Sequence, residues 1–161
     1  QRQMCIRDRY MFGDNILVAP ILNDEGIAEY YVPEGKWTDI ITGKVLEGGK
    51  WYKHKCSYFE IPALAKPNSI IAYGNFERQI EYDYLEGTTF TIYELEDGKS
   101  AVCPIYDTEA NKVFELTATR HGNKIECEYT DTKASFKITV ANTDKTVEIA
   151  PNFSGKVIIE L

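Results

Sequence analysis

Turn-forming residues interrupt this chain every few residues to a dozen, and this punctuation constrains the fold more than any other feature. Between Gly26 and Gly155, glycines, prolines and Asx-Gly pairs separate short runs rich in β-branched and aromatic residues. No stretch keeps a helical hydrophobic period over about ten or more residues. The pattern therefore predicts an all-β protein.

Three runs in the second half alternate between apolar and polar residues. Successive side chains on a strand point to opposite faces, so the apolar set of each run should face a core and the polar set water. The predicted inward sets are Phe114, Leu116 and Ala118; Ile125, Cys127 and Tyr129; and Phe136, Ile138 and Val140. Such half-buried strands are typical of sandwiches.

Two further local structures are expected. Thr88–Leu95 and Lys99–Tyr106 flank Asp97-Gly98, which predicts a β-hairpin because a glycine after aspartate supplies the positive φ of a type I′ turn. Tyr10–Gly13 is interpreted as the end of a preceding helix, with Gly13 as its C-cap.

Composition changes along the chain and predicts two consecutive antiparallel β-sandwich domains, residues 10–75 and 76–161. Both tryptophans lie in the first segment, whereas the second has sixteen acidic and nine basic residues. The boundary is placed near Gly74-Asn75, after the apolar run Ser69–Tyr73 and before a polar stretch at 77–86. We expect residues 1–9 to be non-native, since Met4–Arg9 matches a translated sequencing-library adapter, with a natural basic arm as the alternative.

The charge and composition exclude several classes of protein. The net charge of -7 argues against a nucleic-acid partner, which requires basic clusters. The chain has no run of about 18 apolar residues that would span a membrane. With 161 residues it is also too short for a catalytic (β/α)₈ barrel of about 250 residues.

The cysteines have no C-x-x-C spacing and predict neither a metal site nor a cofactor. Outside residues 1–9 they are Cys56, Cys103 and Cys127. Isolated cysteines on strands are usually small core residues in a reducing compartment, so we expect a cytoplasmic protein. A Cys103–Cys127 disulfide stays open as an alternative.

The acidic residues form no motif that predicts a catalytic pair, and each is interpreted as a solvated turn or strand-face residue. The residues considered are Asp14, Glu81, Asp83, Glu86, Glu94, Glu96 and Asp97. The chain has no G-x-S-x-G, P-loop or G-x-G-x-x-G motif. His54 is expected on an exposed strand and His121 in a turn. No catalytic, cofactor-binding or metal-binding residue is predicted.

Aromatic residues are dense in the first predicted domain, where they allow two interpretations. They are Tyr30, Tyr31, Trp37, Trp51, Tyr52, Tyr58 and Phe59. Rings of this kind can fill a core or pack against a neighbouring domain, which is the interpretation we favour. An exposed patch of them would instead offer stacking platforms for a sugar. We expect Trp37 or Trp51 to lie in the core or on a domain-facing surface.

A series of segments resembles the C-terminal region of glycoside hydrolase family 31. Tyr10–Pro20 is similar to the segment that leaves the catalytic barrel, and Tyr30–Asp39, Ile61-Pro62 and Lys66–Ile71 continue the proximal C-terminal β-domain. The segment Tyr84–Phe90, followed by Asp97-Gly98 and Ala101–Cys103, resembles the distal C-terminal β-domain of bacterial α-xylosidases.

The resemblance implies an accessory part of a retaining α-glycoside hydrolase that acts on non-reducing-end α-xylosides. Its partners would be the N-terminal and barrel domains of the same enzyme and an α-xyloside oligosaccharide, while homo-oligomerisation stays open. The family's catalytic aspartates have no counterpart here, so the chain alone should be inactive. The alternative is a free-standing carbohydrate-binding or adhesion β-sandwich module.

Overall fold

The computed structural model describes residues 8–75, 83–130, 133–151 and 155–161, which form β-strands and turns without a helix. The strands are β1 (Tyr10–Phe12), β2 (Ile16–Val18), β3 (Ile27–Val32), β4 (Lys36–Asp39), β5 (Val45–Glu47), β6 (Lys50–Lys55), β7 (Ala63–Ala65), β8 (Ser69–Tyr73), β9 (Thr88–Tyr93), β10 (Ser100–Tyr106), β11 (Lys112–His121), β12 (Lys124–Tyr129), β13 (Phe136–Val140), β14 (Thr146–Ile149) and β15 (Gly155–Glu160). The predicted all-β sandwich class is confirmed.

The chain divides into two compact units between Pro67 and Asn68. This position differs from the predicted boundary after residue 75, because β8 pairs with β9 and thereby belongs to the second unit. The sequence predicts the apolar run Ser69–Tyr73 as the last strand of the first domain. The partner of a strand, however, is determined by contacts between residues that are distant in the chain. Residues 76–82 of the predicted boundary region and residues 1–7 of the predicted adapter segment lie outside the described residues.

The first unit is a sandwich of a five-stranded sheet, in the order β1-β2-β7-β4-β5, and a two-stranded ribbon of β3 and β6. All of its strand pairs are antiparallel. Side chains from both layers form one core, which consists of Leu17, Ala19, Ala28, Tyr30, Val32, Trp37, Leu46, Cys56 and Leu64. Trp37 is 4% exposed, which confirms that one of the two tryptophans lies in the core.

A tight crossing of two loops closes one end of this unit. The amide of Gly48 donates to the carbonyl of Gly35 at 2.7 Å, and the amide of Gly49 donates to Val32 at 2.8 Å. A Cβ atom at Gly48 would lie 1.7 Å from the carbonyl oxygen of Pro33. Glycine is required at position 48 because only a residue without a side chain allows this approach of two backbones.

The second unit packs two four-stranded sheets, in the orders β10-β11-β12-β15 and β14-β13-β9-β8. The predicted inward sets are buried, except that Val140 is half-buried. The pairs are antiparallel apart from β9 and β13, which run parallel, so the expectation of an entirely antiparallel sandwich was wrong for this pair. The core contains the rings of Phe90, Phe114 and Phe136, whose centroids lie 5.2–5.5 Å apart.

The helix end predicted over Tyr10–Gly13 was wrong. Tyr10–Phe12 is the edge strand β1, which pairs with β2 from Tyr10–Val18 to Phe12–Ile16. Gly13 has a φ of 63° and begins the turn of this hairpin. A positive φ at glycine serves a helix C-cap and a hairpin turn equally well, so the local pattern did not distinguish the two.

The hairpin predicted around Asp97-Gly98 was also wrong. β9 and β10 lie in different sheets, and β10 pairs with β11. The Asp97 carboxylate accepts a hydrogen bond from the amide of Gly122 at 2.6 Å, and the Arg120 guanidinium donates to the carbonyl of Leu95 at 2.8 Å. These contacts with the β11–β12 turn hold the segment as a crossover between the sheets.

The three described cysteines are free thiols, so the alternative of a Cys103–Cys127 disulfide is excluded in this structure. Cys56 and Cys127 are buried in the two cores and Cys103 is half-buried. Burial raises the pKa of the Cys103 thiol to about 11 and that of Cys127 to about 12. Both thiols are therefore neutral and act as small apolar core residues.

Candidate functional site

The aromatic residues of the first unit divide between core and surface. Tyr30 and Trp37 are 3% and 4% exposed, whereas Trp51, Tyr58 and Phe59 are 61%, 95% and 90% exposed. Neither sequence interpretation therefore describes the whole set, because some rings fill the core and others form surface features.

The outward face of the β3–β6 ribbon carries the pair Tyr31 and Trp51, of which Tyr31 is half-buried and Trp51 exposed. These residues are direct cross-strand partners, and their rings meet edge to face with centroids 5.9 Å apart. The neighbouring pair on the same face, Glu29 and Lys53, forms an ion pair at 3.4 Å. The Arg9 guanidinium lies 5.5 Å from the centre of the Tyr31 ring. A cation thus lies against one side of the Tyr31 ring.

A second exposed aromatic pair lies in the turn after β6. The Tyr58 and Phe59 rings meet edge to face at 5.4 Å. The turn is held by the Ser57 amide, which donates to the Glu60 carboxylate at 2.8 Å, and by the Glu60 amide, which donates to the Ser57 carbonyl at 3.2 Å. These two rings form an apolar surface feature that the first unit itself does not cover.

A cavity of about 220 Å³ opens beside the inward face of the ribbon. Tyr52 lies opposite Tyr30 and His54 lies opposite Ala28, so these side chains face the same side as the core residues of β3. The cavity is lined by Tyr30, Asp39, Ile41, Thr42, Lys44, Leu46, Tyr52, Lys53, His54, Cys56, Glu60, Ile61 and Pro62. All of them belong to the first unit.

Hydrogen bonds hold both carboxylates of the cavity wall. The Asp39 carboxylate accepts from the amides of Ile41 and Thr42, each at 2.9 Å, and the Glu60 carboxylate accepts from Ser57. The bonds from Ser57 lower the pKa of Glu60. Burial, with the nearby charge of Asp39, raises the pKa of Tyr30 to about 12, and burial also raises the pKa of Cys56. At neutral pH the Glu60 carboxyl group is therefore charged, whereas the Tyr30 phenol and the Cys56 thiol are neutral.

The cavity does not have the electrostatics of a glycosidase acid. A carboxyl group that protonates a leaving group needs a raised pKa, because it must hold its proton near neutral pH. Glu60 has a lowered pKa and is exposed. The Glu60 carboxylate thus serves to accept hydrogen bonds rather than to donate a proton.

The acidic residues considered in the sequence lie in turns and loops. Asp14 is exposed in the β1–β2 turn, and Asp83 accepts from the Leu85 amide at 2.9 Å. The Glu86 carboxylate accepts from the amide and hydroxyl of Ser135. Glu94 and Glu96 lie with Asp97 in the crossover between the sheets, and Glu81 lies outside the described residues. The structure brings none of the described ones into the cavity.

The sequence did not predict the cavity residues Asp39 and Glu60. His54 is exposed on β6, as expected, but its position beside a cavity follows from the β3–β6 register. His121 ends β11 at the turn with Lys124 and is exposed. Asp39-Ile-Ile-Thr42 was recognisable only as a turn, since nothing in it indicates which side chains it meets.

Residues 8–75, 83–130, 133–151 and 155–161 contain no group of three or more histidine, cysteine, aspartate or glutamate residues that could hold a metal ion. Within the same ranges no helix has the length and apolar character needed to cross a membrane.

Two family models match the chain. Residues 1–71 match the C-terminal domain of glycosyl hydrolase family 31, and residues 83–161 match the C-terminal domain of the α-xylosidase YicI. Together the two matches cover the first compact unit and most of the second, in which residues 72–82 are left unmatched.

Curated relatives support the same assignment. The chain is 35% identical over 120 residues to α-xylosidase XylQ of Lactiplantibacillus pentosus and 43% identical over 132 residues to an α-xylosidase of Emericella nidulans. In each case 73% of this chain and 16% of the relative are covered. The chain thus spans about a sixth of the length of these enzymes.

Solved structures share the fold. A cycloalternan-forming enzyme from Listeria monocytogenes matches with a TM-score of 0.76 at 20% identity, over 95% of this chain and 18% of that one. The α-xylosidase of family 31 from Xanthomonas citri matches with a TM-score of 0.72 at 16% identity, over 96% of this chain and 19% of the other. Both similarities concern the β-domains alone.

Proposed function

The chain belongs to glycosyl hydrolase family 31, and from that premise we propose that it forms the two C-terminal accessory domains of a retaining α-xylosidase. In this role it stabilises a catalytic barrel and carries out no chemistry itself. The substrate of the whole enzyme would be an α-xyloside with the xylose at its non-reducing end. The observation that carries the proposal is the match of residues 83–161 to the C-terminal domain of an α-xylosidase.

The relatives support this specificity. XylQ and the Emericella nidulans enzyme are both named α-xylosidases, and each is several times longer than the part matched here. The greater length of these enzymes favours an accessory role over the alternative of a free-standing carbohydrate-binding or adhesion module.

The exposed apolar groups of the first unit suit a contact with a catalytic domain. Tyr10, Met11 and Phe12 of β1 are 52%, 46% and 66% exposed, and Tyr58 and Phe59 are almost fully exposed. Stable contacts between proteins bury about 800 Å² on each side, with aromatic residues enriched at the centre. We assign β1 and the Tyr58-Phe59 turn to that contact.

The cytoplasm is our proposed compartment. Cys56, Cys103 and Cys127 are free thiols, and cysteines that remain reduced are typical of proteins in reducing compartments.

A second copy of the same enzyme is not required by any feature of the described residues.

A chimera with a relative tests the proposed function. The corresponding C-terminal segment of XylQ is replaced by this chain, and hydrolysis of an aryl α-xyloside is measured. We expect the chimera to be active, XylQ without the segment to be inactive, and the purified chain alone to give no turnover.

A matched variant tests the contact. Tyr58→Asp together with Phe59→Asp should lower the yield of active chimera, because two charges would enter an apolar contact. Thr117→Asp, on a half-exposed strand face of the second unit, serves as the control. Turnover by the chain alone, or full activity of XylQ without its C-terminal segment, would contradict the proposal.

A further inference from the structure

The cavity beside the ribbon has features that neither the family assignment nor an accessory role explains. We propose that it is a binding site for one neutral pyranose ring, held between the Tyr30–Tyr52 side and the Asp39–Lys44 turn. The inference goes beyond the proposed function and does not depend on it. A sugar site of this kind would let the accessory part hold a carbohydrate chain.

The size of the cavity suits a single sugar ring. Its volume of about 220 Å³ is many times the ~10–15 Å³ that holds a single water molecule, so a molecule with the size of one ring can enter. Drug-sized ligands occupy pockets of about 300–1,000 Å³, so this cavity is too small for a dinucleotide or another large cofactor.

One side of the cavity is apolar and rigid. It is formed by Tyr30, Tyr52, Leu46, Ile61 and Pro62. The Tyr30 and Tyr52 rings are stacked, with centroids 6.2 Å apart and planes 21° from parallel. The Tyr52 hydroxyl donates to the Glu47 carbonyl at 2.8 Å, which fixes that ring. Tyr30 is buried and supports the half-buried Tyr52 ring, whose centre also lies 5.4 Å from the Lys50 ammonium. The C–H face of a pyranose would therefore contact the accessible part of Tyr52 and the exposed Ile61, with little loss of side-chain entropy.

The other side carries hydrogen-bonding groups of both kinds. Asp39 and Glu60 supply acceptors, Lys44 supplies donors, and Thr42 and His54 can supply either. A sugar hydroxyl both donates and accepts, so it needs such a mixture. A phosphate or carboxylate ligand would meet two carboxylates, and a metal ion would meet the Lys44 ammonium. The mixed wall therefore favours a neutral, hydroxyl-rich ligand.

The acceptors are already in place before a ligand arrives. Asp39 is fixed by the amides of Ile41 and Thr42, and Glu60 is fixed by the amide of Ser57. Binding groups that are fixed in advance lose little entropy when the ligand binds. The lowered pKa of Glu60 keeps that carboxylate charged, and therefore an acceptor, at neutral pH.

The test is a titration of the ¹⁵N-labelled full chain, followed by amide NMR. The probes are D-xylose and D-glucose, with D-glucuronate as the charged control. We expect saturable shifts at Thr42, Lys44 and His54 for a neutral sugar, with a Kd of about 1–10 mM. D-glucuronate should bind at least about tenfold more weakly, since its carboxylate faces Asp39 and Glu60.

Ile41→Trp should fill the cavity and weaken binding by at least about tenfold, because Ile41 lines it and is 54% exposed. Leu22→Trp is the matched control at an exposed position outside the cavity, and it should change the Kd by less than about twofold. Trp51→Ala tests the outward face of the ribbon and should also leave the Kd unchanged. If Ile41→Trp does not fold, Thr42→Val removes one hydroxyl and should weaken binding about three- to fivefold.

Each outcome decides the proposal. Saturable binding of a neutral sugar that is lost in Ile41→Trp and kept in Leu22→Trp supports it. Absence of saturation by either neutral sugar, binding that Ile41→Trp leaves intact, loss of binding in Trp51→Ala, or equally tight binding of D-glucuronate would overturn it. None of these results bears on the chimera experiment, so the two proposals fail separately.

Discussion

The two units of this chain differ in how far their aromatic side chains are exposed. In the second unit Phe90, Phe114 and Phe136 are at most 1% exposed and contact one another in the centre of the core. In the first unit Trp51 and the Tyr58-Phe59 pair lie on the surface. The second unit thus buries its three phenylalanine rings against one another while Tyr73 and Tyr106 are 37% and 50% exposed, whereas the first unit exposes the rings of Tyr58 and Phe59 almost fully.

This difference teaches which unit depends on its surroundings. A core that buries large rings against each other gains most of its stability from contacts within the unit. A unit that exposes rings on an ordered turn loses nothing in isolation but gains stability when a partner covers them. The comparison predicts that mutations of aromatic residues have large effects on the second unit and small effects at the exposed positions of the first.

The largest expected effect is that of Phe136→Ala. Its ring contacts Phe90, Phe114 and Tyr129, so the variant should lose about 3–5 kcal/mol of unfolding free energy. Trp51→Ala should lose less than about 1 kcal/mol, since this ring is 61% exposed. Denaturant unfolding followed by amide NMR reports each unit separately. Equal losses in the two variants would refute the comparison.

The next largest effect is a difference in stability loss between two glycine-to-alanine variants. Gly48→Ala should cost about 3 kcal/mol or more and disrupt the first unit, because the new Cβ would meet the Pro33 carbonyl. Gly122 in the second unit has a φ of +61°, and a Cβ atom added there would meet nothing within 4 Å. Gly122→Ala should therefore lower the unfolding free energy by only about 1–2 kcal/mol. Thermal unfolding of the two variants measures the difference. If Gly48→Ala is as stable as Gly122→Ala, the two loops can move apart to accommodate the Cβ atom, which contradicts the prediction.

The smallest effect concerns two exposed carboxylates. Hydrogen bonds from Ser57 lower the pKa of Glu60 in the first unit, and hydrogen bonds from Asn111 lower the pKa of Asp107 in the second. A lowered folded-state pKa means that the stabilisation is fully present above the ordinary carboxyl pKa, which is about 4. It is lost as the pH falls through the lowered value.

Carboxyl-detected NMR titration should show both groups titrating below their ordinary range. Asp107→Asn retains one acceptor oxygen for the amides of Glu109 and Asn111 and should remove the pH dependence of the β10–β11 turn, together with the hydrogen bond that the Asn111 side chain donates to the second oxygen. A pKa at or above the ordinary value for either group would contradict the hydrogen bonds described here.

Strand identity and facing were predictable wherever one face of a strand is buried. In β12 the side chains of Ile125, Cys127 and Tyr129 alternate with glutamates. Only one face of this strand can point to the core, because a shift by one residue would bury the glutamates. The turn of Gly122 was predictable for the same reason, since it joins two such strands. The all-β class followed from these local signals, whereas the family resemblance depends on segments such as Tyr10–Pro20, Tyr30–Asp39 and Tyr84–Phe90.

Pairing between distant strands was not predictable in this way. Asp97-Gly98 has the composition of a hairpin turn, but the contacts of Asp97 and Arg120 with other segments make it a crossover. Tyr10–Phe12 has too few residues to show a period, and only its pairing with β2 makes it a strand. In both cases the local signal was compatible with two structures, and long-range contacts chose between them.

The sequence by itself determined the class of fold, the inward face of the long strands and the family, because these depend on periodicity and on residues near one another in the chain. The tertiary structure alone decided which rings are buried, where the units divide and that Asp39, His54 and Glu60 line one cavity. The physical reason is register: the pairing of β3 with β6 places Tyr52 and His54 on the inward side, and no local preference specifies that pairing.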